Sequence, residues 1–201
     1  CGTSGGAMVC WGQALDNTRQ RIPNPALVFS PAPPRFDSVS VGSNAACGQT
    51  STLTSYDVYC WGWDGSGEVG VNVSQQVVPP YARVPIQSAG VSTGGAFTCV
   101  DRVDGTVACF GDNTLGQLGN PYFTGAMTWV PQTVGYNLLT GSGRLLHGVS
   151  TGAEFASVCA HDPNGAAYCW GNGAATFGFG HSVVVRAPTA VPGGITFRAI
   201  A

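Results

Sequence analysis

The sequence predicts an all-β chain built from four tandem units, and three observations carry that prediction. First, a cysteine, a short stretch, a second cysteine, an aromatic residue and a glycine recur four times. The second halves read Val9-Cys10-Trp11-Gly12, Tyr59-Cys60-Trp61-Gly62, Ala108-Cys109-Phe110-Gly111 and Tyr168-Cys169-Trp170-Gly171. A period of about 50 residues marks supersecondary units that bury their cores against neighbours. Second, apolar and polar residues alternate with period two ahead of each cysteine pair, the pattern of half-buried strands. Third, 30 glycines and 13 prolines in 201 residues supply the turns that many short strands need.

The elements follow one order in each unit. An alternating segment opens it: Phe36 to Ser40, Ile86 to Gly90, Leu146 to Ser150 and Phe197 to Ala201. A segment of glycine and other small residues follows (Val41-Gly42-Ser43, Thr93-Gly94-Gly95, Thr151-Gly152-Ala153), and then a strand carrying the first cysteine. Ser4-Gly5-Gly6, Asp104-Gly105 and Asn164-Gly165 suit two-residue hairpin turns that need positive φ. The return strand ends on the second cysteine and its aromatic, and a glycine-rich turn and a proline-rich variable loop complete the unit. The units are residues 1–35, 36–85, 86–145 and 146–196 of one domain spanning 1–201, with 197–201 completing the blade of 1–12.

Two cysteines on neighbouring strands of one hairpin face each other at about 5 Å, which is disulfide geometry. The expected bridges are Cys1–Cys10, Cys47–Cys60, Cys99–Cys109 and Cys159–Cys169. Zinc is the rival reading, but structural zinc sites use closely spaced pairs and the chain has no Cys-x-x-Cys. His147, His161 and His181 share no spacing. Four bridges imply maturation in an oxidising place, the periplasm or outside the cell.

Charged residues are only 9% of the chain, against roughly 25% in an average soluble domain. Lysine is absent and all eight basic residues are arginine. A net charge of −2 with no basic run argues against nucleic acid, which needs a clustered cationic footprint. No apolar stretch reaches the 18 residues of a spanning helix. The chain opens on Cys1 rather than Met, so either processing removed a leader or a longer chain precedes it. A leading cysteine also suits a lipid anchor, but acylation would leave Cys10 unpaired. Membrane contact is therefore expected to be indirect, or to pass through a lipid on Cys1.

Asp112-Asn113-Thr114-Leu115-Gly116-Gln117-Leu118-Gly119, directly after Cys109-Phe110-Gly111, resembles the signature of the regulator-of-chromosome-condensation repeat. The resemblance implies a β-propeller with one four-stranded blade per repeat. The cysteine-bearing form is similar to the exported bacterial branch of that family. The second unit has the variant Trp63-Asp64-Gly65-Ser66-Gly67-Glu68-Val69-Gly70, and the first and fourth depart further. The family commonly has seven repeats and four are present. Either the last strand, 197–201, joins the first hairpin in a closed four-bladed ring, or further repeats lie in a longer chain.

No catalytic constellation stands out. Asp64 and Asp112 occupy the same turn, a structural use of Asp. Asp37 and Glu154 are not selected as a pair by anything in the pattern. His161-Asp162 with Ser157 nearby lacks a nucleophile elbow, and neighbours on a strand point to opposite faces. No cofactor and no metal are expected. Trp11, Trp61, Phe110 and Trp170 recur in phase, which places them in the core between blades.

The third unit breaks the period with an insertion between Asn120 and Arg144. It carries Tyr122, Phe123, Met127, Trp129 and Tyr136 and no acidic residue. Insertions in repeat proteins map to loops on one face, and aromatics and Met are the residues that interfaces favour. The alternative is a loop folded over its own propeller. Ile22 to Pro31 and Phe177 to Val185 are weaker candidates of the same kind, and Asn72-Val73-Ser74 is a glycosylation sequon. The expected function is a non-catalytic, extracytoplasmic scaffold that binds protein partners as an accessory subunit of a larger, membrane-associated assembly. A secreted inhibitor or ligand-binding propeller is the alternative, and a polysaccharide-active enzyme ranks below it.

Overall fold

The computed structural model describes residues 1–13, 21–27, 34–52, 56–72, 77–137, 139, 141, 143–152, 156–173, 184–194 and 196–200. Every regular element among them is a β-strand and every pairing is antiparallel. The first blade holds β1 (Gly2–Ser4), β2 (Ala7–Gln13) and β3 (Arg21–Leu27). The second is β4 (Ser38–Val41), β5 (Ala45–Ser51), β6 (Tyr56–Trp63) and the first half of β7 (Val77–Thr93). The third takes the second half of β7, then β8 (Phe97–Arg102), β9 (Val107–Asp112) and β10 (Met127–Thr133). The fourth is β11 (His147–Thr151), β12 (Ser157–His161), β13 (Ala167–Gly171) and β14 (Val185–Ala190). β7 pairs with β6 up to Gln87 and with β8 from Ser88, so one strand ends a blade and begins the next.

Each first strand lies against its counterpart in the next blade. The Thr93 amide donates to Ser40 Oγ at 2.9 Å, and the Thr151 amide donates to Ser92 Oγ at 3.1 Å. These serines stand at the same phase of the repeat, so one hydroxyl ties the first strand of the second blade to the third, and another ties the third to the fourth.

In the second, third and fourth blades the second and third strands carry the disulfides. Cys47 faces Cys60, Cys99 faces Cys109 and Cys159 faces Cys169 as direct cross-strand partners, with Cα atoms 4.1 Å apart. Cys1 is bonded to Cys10.

The hairpin turns differ in part from expectation. Gly5 and Gly6, both at positive φ, form a two-residue turn in the first blade. In the third and fourth blades the loops have three residues. Gly105 N donates to Arg102 O while Arg102 N donates to Thr106 O, and Asp162 to Ala166 repeats the pattern. Only the glycine has positive φ in each, whereas a two-residue turn of the expected type needs it at both central positions. Asp104 and Asp162 instead cap the turn with side-chain hydrogen bonds to Thr106 N and Asn164 N.

Three apolar clusters fill the junctions between blades. Trp61 sits in the first with Met8 and Phe36, Phe110 in the second with Val69 and Val84, and Trp170 in the third with Leu118 and Leu146. Each ring packs onto the preceding blade. Trp11 departs from the expectation: it is 52% exposed, with no preceding blade among the described residues to cover it.

The Gly-Gln-Leu-Gly turn explains itself at these junctions. Gly119 has φ +63°, and a Cβ there would lie 2.7 Å from Trp170 Nε1. Gly70 stands in the same relation to Phe110. Gly119→Ala is expected to cost about 2 kcal/mol or more, since strain at positive φ adds to the clash with a buried ring. A urea titration checks this, with Gly141→Ala, also at positive φ but open to space, as the strain-only control.

The expected pairing of 197–201 with the first hairpin is not among the described strand pairs. Instead Thr196 bridges Ala166, and Phe197 N donates to Gly165 O of the fourth blade. Leu145 and Leu146 do the same at Thr106 and Gly105, one blade earlier.

Candidate protein-binding face

The insertion of the third unit is fastened from below. Asn113, 3% exposed, sends its side-chain amide to Phe123 O at 3.3 Å and Gly125 O at 3.1 Å, and its own N–H bonds Ala126 O. Asn120 Oδ1 accepts Tyr122 N at 3.0 Å. A backbone held at four points presents its side chains without a large ordering cost on binding.

The five sequence-predicted contact residues divide into two groups. Tyr122 is 53% exposed and meets the half-buried Tyr136 edge-on, with ring centroids 6.5 Å apart. Phe123 packs against the cluster between the third and fourth blades. Met127 and Trp129 lie half-buried on β10, and the Trp129 Nε1 atom is buried. The outward group is therefore Tyr122 and Tyr136, with Leu139 (96% exposed) lining the same cleft; Val130 is also 64% exposed on β10, and the sequence singled out neither.

Tyr136 stands between two clefts. One, of about 340 Å³, lies among Pro121, Tyr122, Leu139, Arg144 and Pro188. The other, of about 190 Å³, is lined by Arg102, Asp104, Thr106 and Thr133. Arg144 lies over the Tyr168 ring at 4.5 Å, a cation–π contact that lays the side chain along the blade surface. The two clefts mix aromatic and aliphatic side chains with polar ones, Arg102 and Arg144 among them, a composition that protein contacts use.

The titratable groups are used structurally. Asp57 pairs with Arg83 at 2.6 Å, the one ion pair among the described residues. Asp101 accepts the Gly148 and Val149 amides across the third and fourth blades. Burial raises its pKa, against the pull of those amides and of His147 and His161. His161 Nδ1 meets the Asp162 carbonyl at 3.1 Å, while the Asp162 carboxylate holds the turn amides. Ser157 pairs with Gly171 at the opposite end of β12, so no triad assembles. Asp37 bonds Ser51 within its own blade. Among the described residues no three His, Cys, Asp or Glu gather where they could hold a metal ion, and no helix is long and apolar enough to cross a membrane. Asp16, Glu154, His181 and the run 177–183 lie outside the described residues, as do the side chains of 22–31 and most of the sequon.

The cross-blade roles of Asp101, Ser40 and Ser92 escaped the sequence reading. Only the serines left a trace, as a residue recurring one position before Val41, Thr93 and Thr151.

No family model matches the chain. Solved structures do. The yeast RCC1 protein Prp20, crystallised bound to Kap60, superposes with a TM-score of 0.74 at 18% identity, over 94% of this chain and 45% of that one. Prp20p of Saccharomyces cerevisiae, in a structure described with its binding to Gsp1p and histones, gives 0.71 at 18% identity over 94% and 47%. Human WBSCR16 gives 0.69 at 19% identity over 96% and 46%. The chain thus spans about half the length of each. With its bladed, all-antiparallel architecture, these likenesses establish that the chain has the β-propeller fold of RCC1.

Proposed function

We propose that the protein is a non-catalytic scaffold of an oxidising, extracytoplasmic compartment, docking as an accessory subunit onto a larger assembly through the Tyr122–Tyr136 face. The observation that carries this reading is the Tyr122–Tyr136 pair sharing one cleft with the exposed Leu139, with Tyr122 on a loop clamped by Asn113. Apolar residues so exposed and contiguous are costly to keep in water unless a partner covers them. One disulfide per blade supports maturation outside a reducing cytoplasm and kinship with exported propellers. The solved neighbours crystallised with Kap60, or described binding Gsp1p and histones, support the use of this fold as a protein platform.

The test is the native mass of the protein in a mild detergent extract of its source, for wild type and for Tyr122→Ser/Tyr136→Ser. Wild type is expected to migrate with a stoichiometric partner. The double variant is expected to lose about 2 kcal/mol or more of binding, roughly 30-fold in Kd, because exposed tyrosines of this kind act as hot spots. Unchanged migration of the variant, with its fold intact by circular dichroism, would remove this face from the function.

A further inference from the structure

The second and third blades contain the same turn with different chemistry. In the third, Asn113 and Gln117 are buried amides with every arm engaged. Asn113 Oδ1 accepts Leu118 N while its NH2 donates to Phe123 O and Gly125 O. Gln117 Oε1 accepts Leu115 N while its NH2 donates to Asp112 at 2.6 Å. In the second blade Asp64 and Glu68 occupy these positions. One oxygen of each repeats the amide's acceptor role, Asp64 Oδ1 from Val69 N at 2.9 Å and Glu68 Oε2 from Ser66 N at 2.8 Å.

The other oxygen of each has no partner. Asp64 Oδ2 and Glu68 Oε1 are buried without a hydrogen bond, in side chains 3% and 0% exposed. They stand where the amides have NH2 groups. A carboxyl can fill a donor's place only when it carries a proton.

We propose that Asp64 and Glu68 form a proton-operated latch between the second and third blades, closed while both carboxyls are neutral and loosened when they ionise. The turn they shape is the one the third blade closes upon. Thr98 of β8 donates to Glu68 O at 2.9 Å, Val69 enters the junction core, and a Cβ on Gly67 would lie 2.7 Å from Thr128 O of β10. Trp129 of β10 has its buried indole N–H near the Asp64 carboxyl, where it favours the ionised form without making a hydrogen bond of normal geometry.

Among the described residues no counter-charge faces the pair. The charges acting on Glu68 are two more carboxylates, Asp64 of its own turn and Asp112 of β9, and no described arginine or histidine acts on either carboxyl. Burial first, and then those two carboxylates, push Glu68 up to about 7. Burial pushes Asp64 up to about 6, against the pull of the Val69 amide and the Trp129 N–H. The sign follows from linkage. Both folded pKa values lie above the unfolded ones, so the native state holds protons the unfolded state has released. Stability is therefore full at acid pH and falls as pH climbs from about 4 to about 7. The latch holds β10, the strand that leads out of the Tyr122 loop, so a rise in pH would loosen the support of the proposed binding face. Its own test does not depend on that function.

The experiment compares wild type with Asp64→Asn/Glu68→Gln, which installs the third blade's pair. Hydrogen exchange of the Ser66 and Val69 amides, corrected for intrinsic rates, is followed at pH 5 and pH 8. Wild type is expected to open on the order of 100-fold more at pH 8, and the double variant to lose that dependence. Equal opening of wild type at both pH values overturns the latch, whether or not the variant folds. So does a pH dependence that the variant retains. The third arm adds Ca2+ at pH 8: if it restores wild-type protection, the carboxylates hold a cation and not protons, and the latch fails.

Discussion

Reduction of the four disulfides under native conditions is expected to unfold the protein. Each bridge closes a short loop, with cysteines separated by 9, 13, 10 and 10 residues. Loops of that size contribute roughly 2.5–3 kcal/mol each in the chain-entropy account, on the order of 10 kcal/mol together. That sum matches the whole net stability of a typical domain, about 5–15 kcal/mol. Three of the bridges also lie in the clusters between blades, with Cys47, Cys60, Cys99 and Cys109 wholly buried. Circular dichroism with graded reductant checks this, and a fully reduced chain retaining its native near-ultraviolet signal would refute it. Replacing Cys99 and Cys109 together by alanine is expected to cost about 3 kcal/mol on its own.

Trp170→Ala carries the second large effect. The ring is 0% exposed, it fills the junction of the third and fourth blades, and its N–H donates to Gln117 O at 3.0 Å. Losing a buried tryptophan costs about 3–5 kcal/mol, and the Gln117 carbonyl left without its donor adds about 1 kcal/mol. The damage is expected to fall on one junction, freeing the fourth blade before the rest, because contacts in a repeat array run between neighbours. Trp11→Ala, at the same phase of the repeat but 52% exposed, is expected to cost under about 1 kcal/mol. Urea unfolding of the two variants, with exchange protection read blade by blade, separates the outcomes. Equal losses would mean that phase in the repeat, and not burial, sets the energy.

Much of the fold was legible because its determinants are local. A cysteine, a turn and a second cysteine close a hairpin wherever the hairpin sits. An aromatic in phase with the repeat meets the preceding blade whenever there is one. Trp11 shows the limit, since the same residue at the same phase is 52% exposed where the described residues hold no preceding blade. The turn at Asp104-Gly105 shows another. A dipeptide names the residue that takes positive φ but not the number of residues in the loop, which the register of β8 against β9 decides. The aromatic insertion was legible as a break in the period, yet its composition could not say which rings face out. Asn113 decides that by where it pins the loop, turning Tyr122 outward and letting Phe123 pack inward.

By itself the sequence determined the repeat, the strands and the pairing of the cysteines. All of these rest on interactions within about 50 residues, whose geometry the chain carries with it. Tertiary structure alone decided what happens between blades. It stacked Ser40 on Thr93, brought Asp101 to the amides of Gly148 and Val149, and buried Asp64 and Glu68 in a junction with no counter-charge among the described residues. A carboxylate's energy depends on what surrounds it, not on its neighbours in the chain, so a turn aspartate in the sequence becomes a buried acid only when the next blade closes over it.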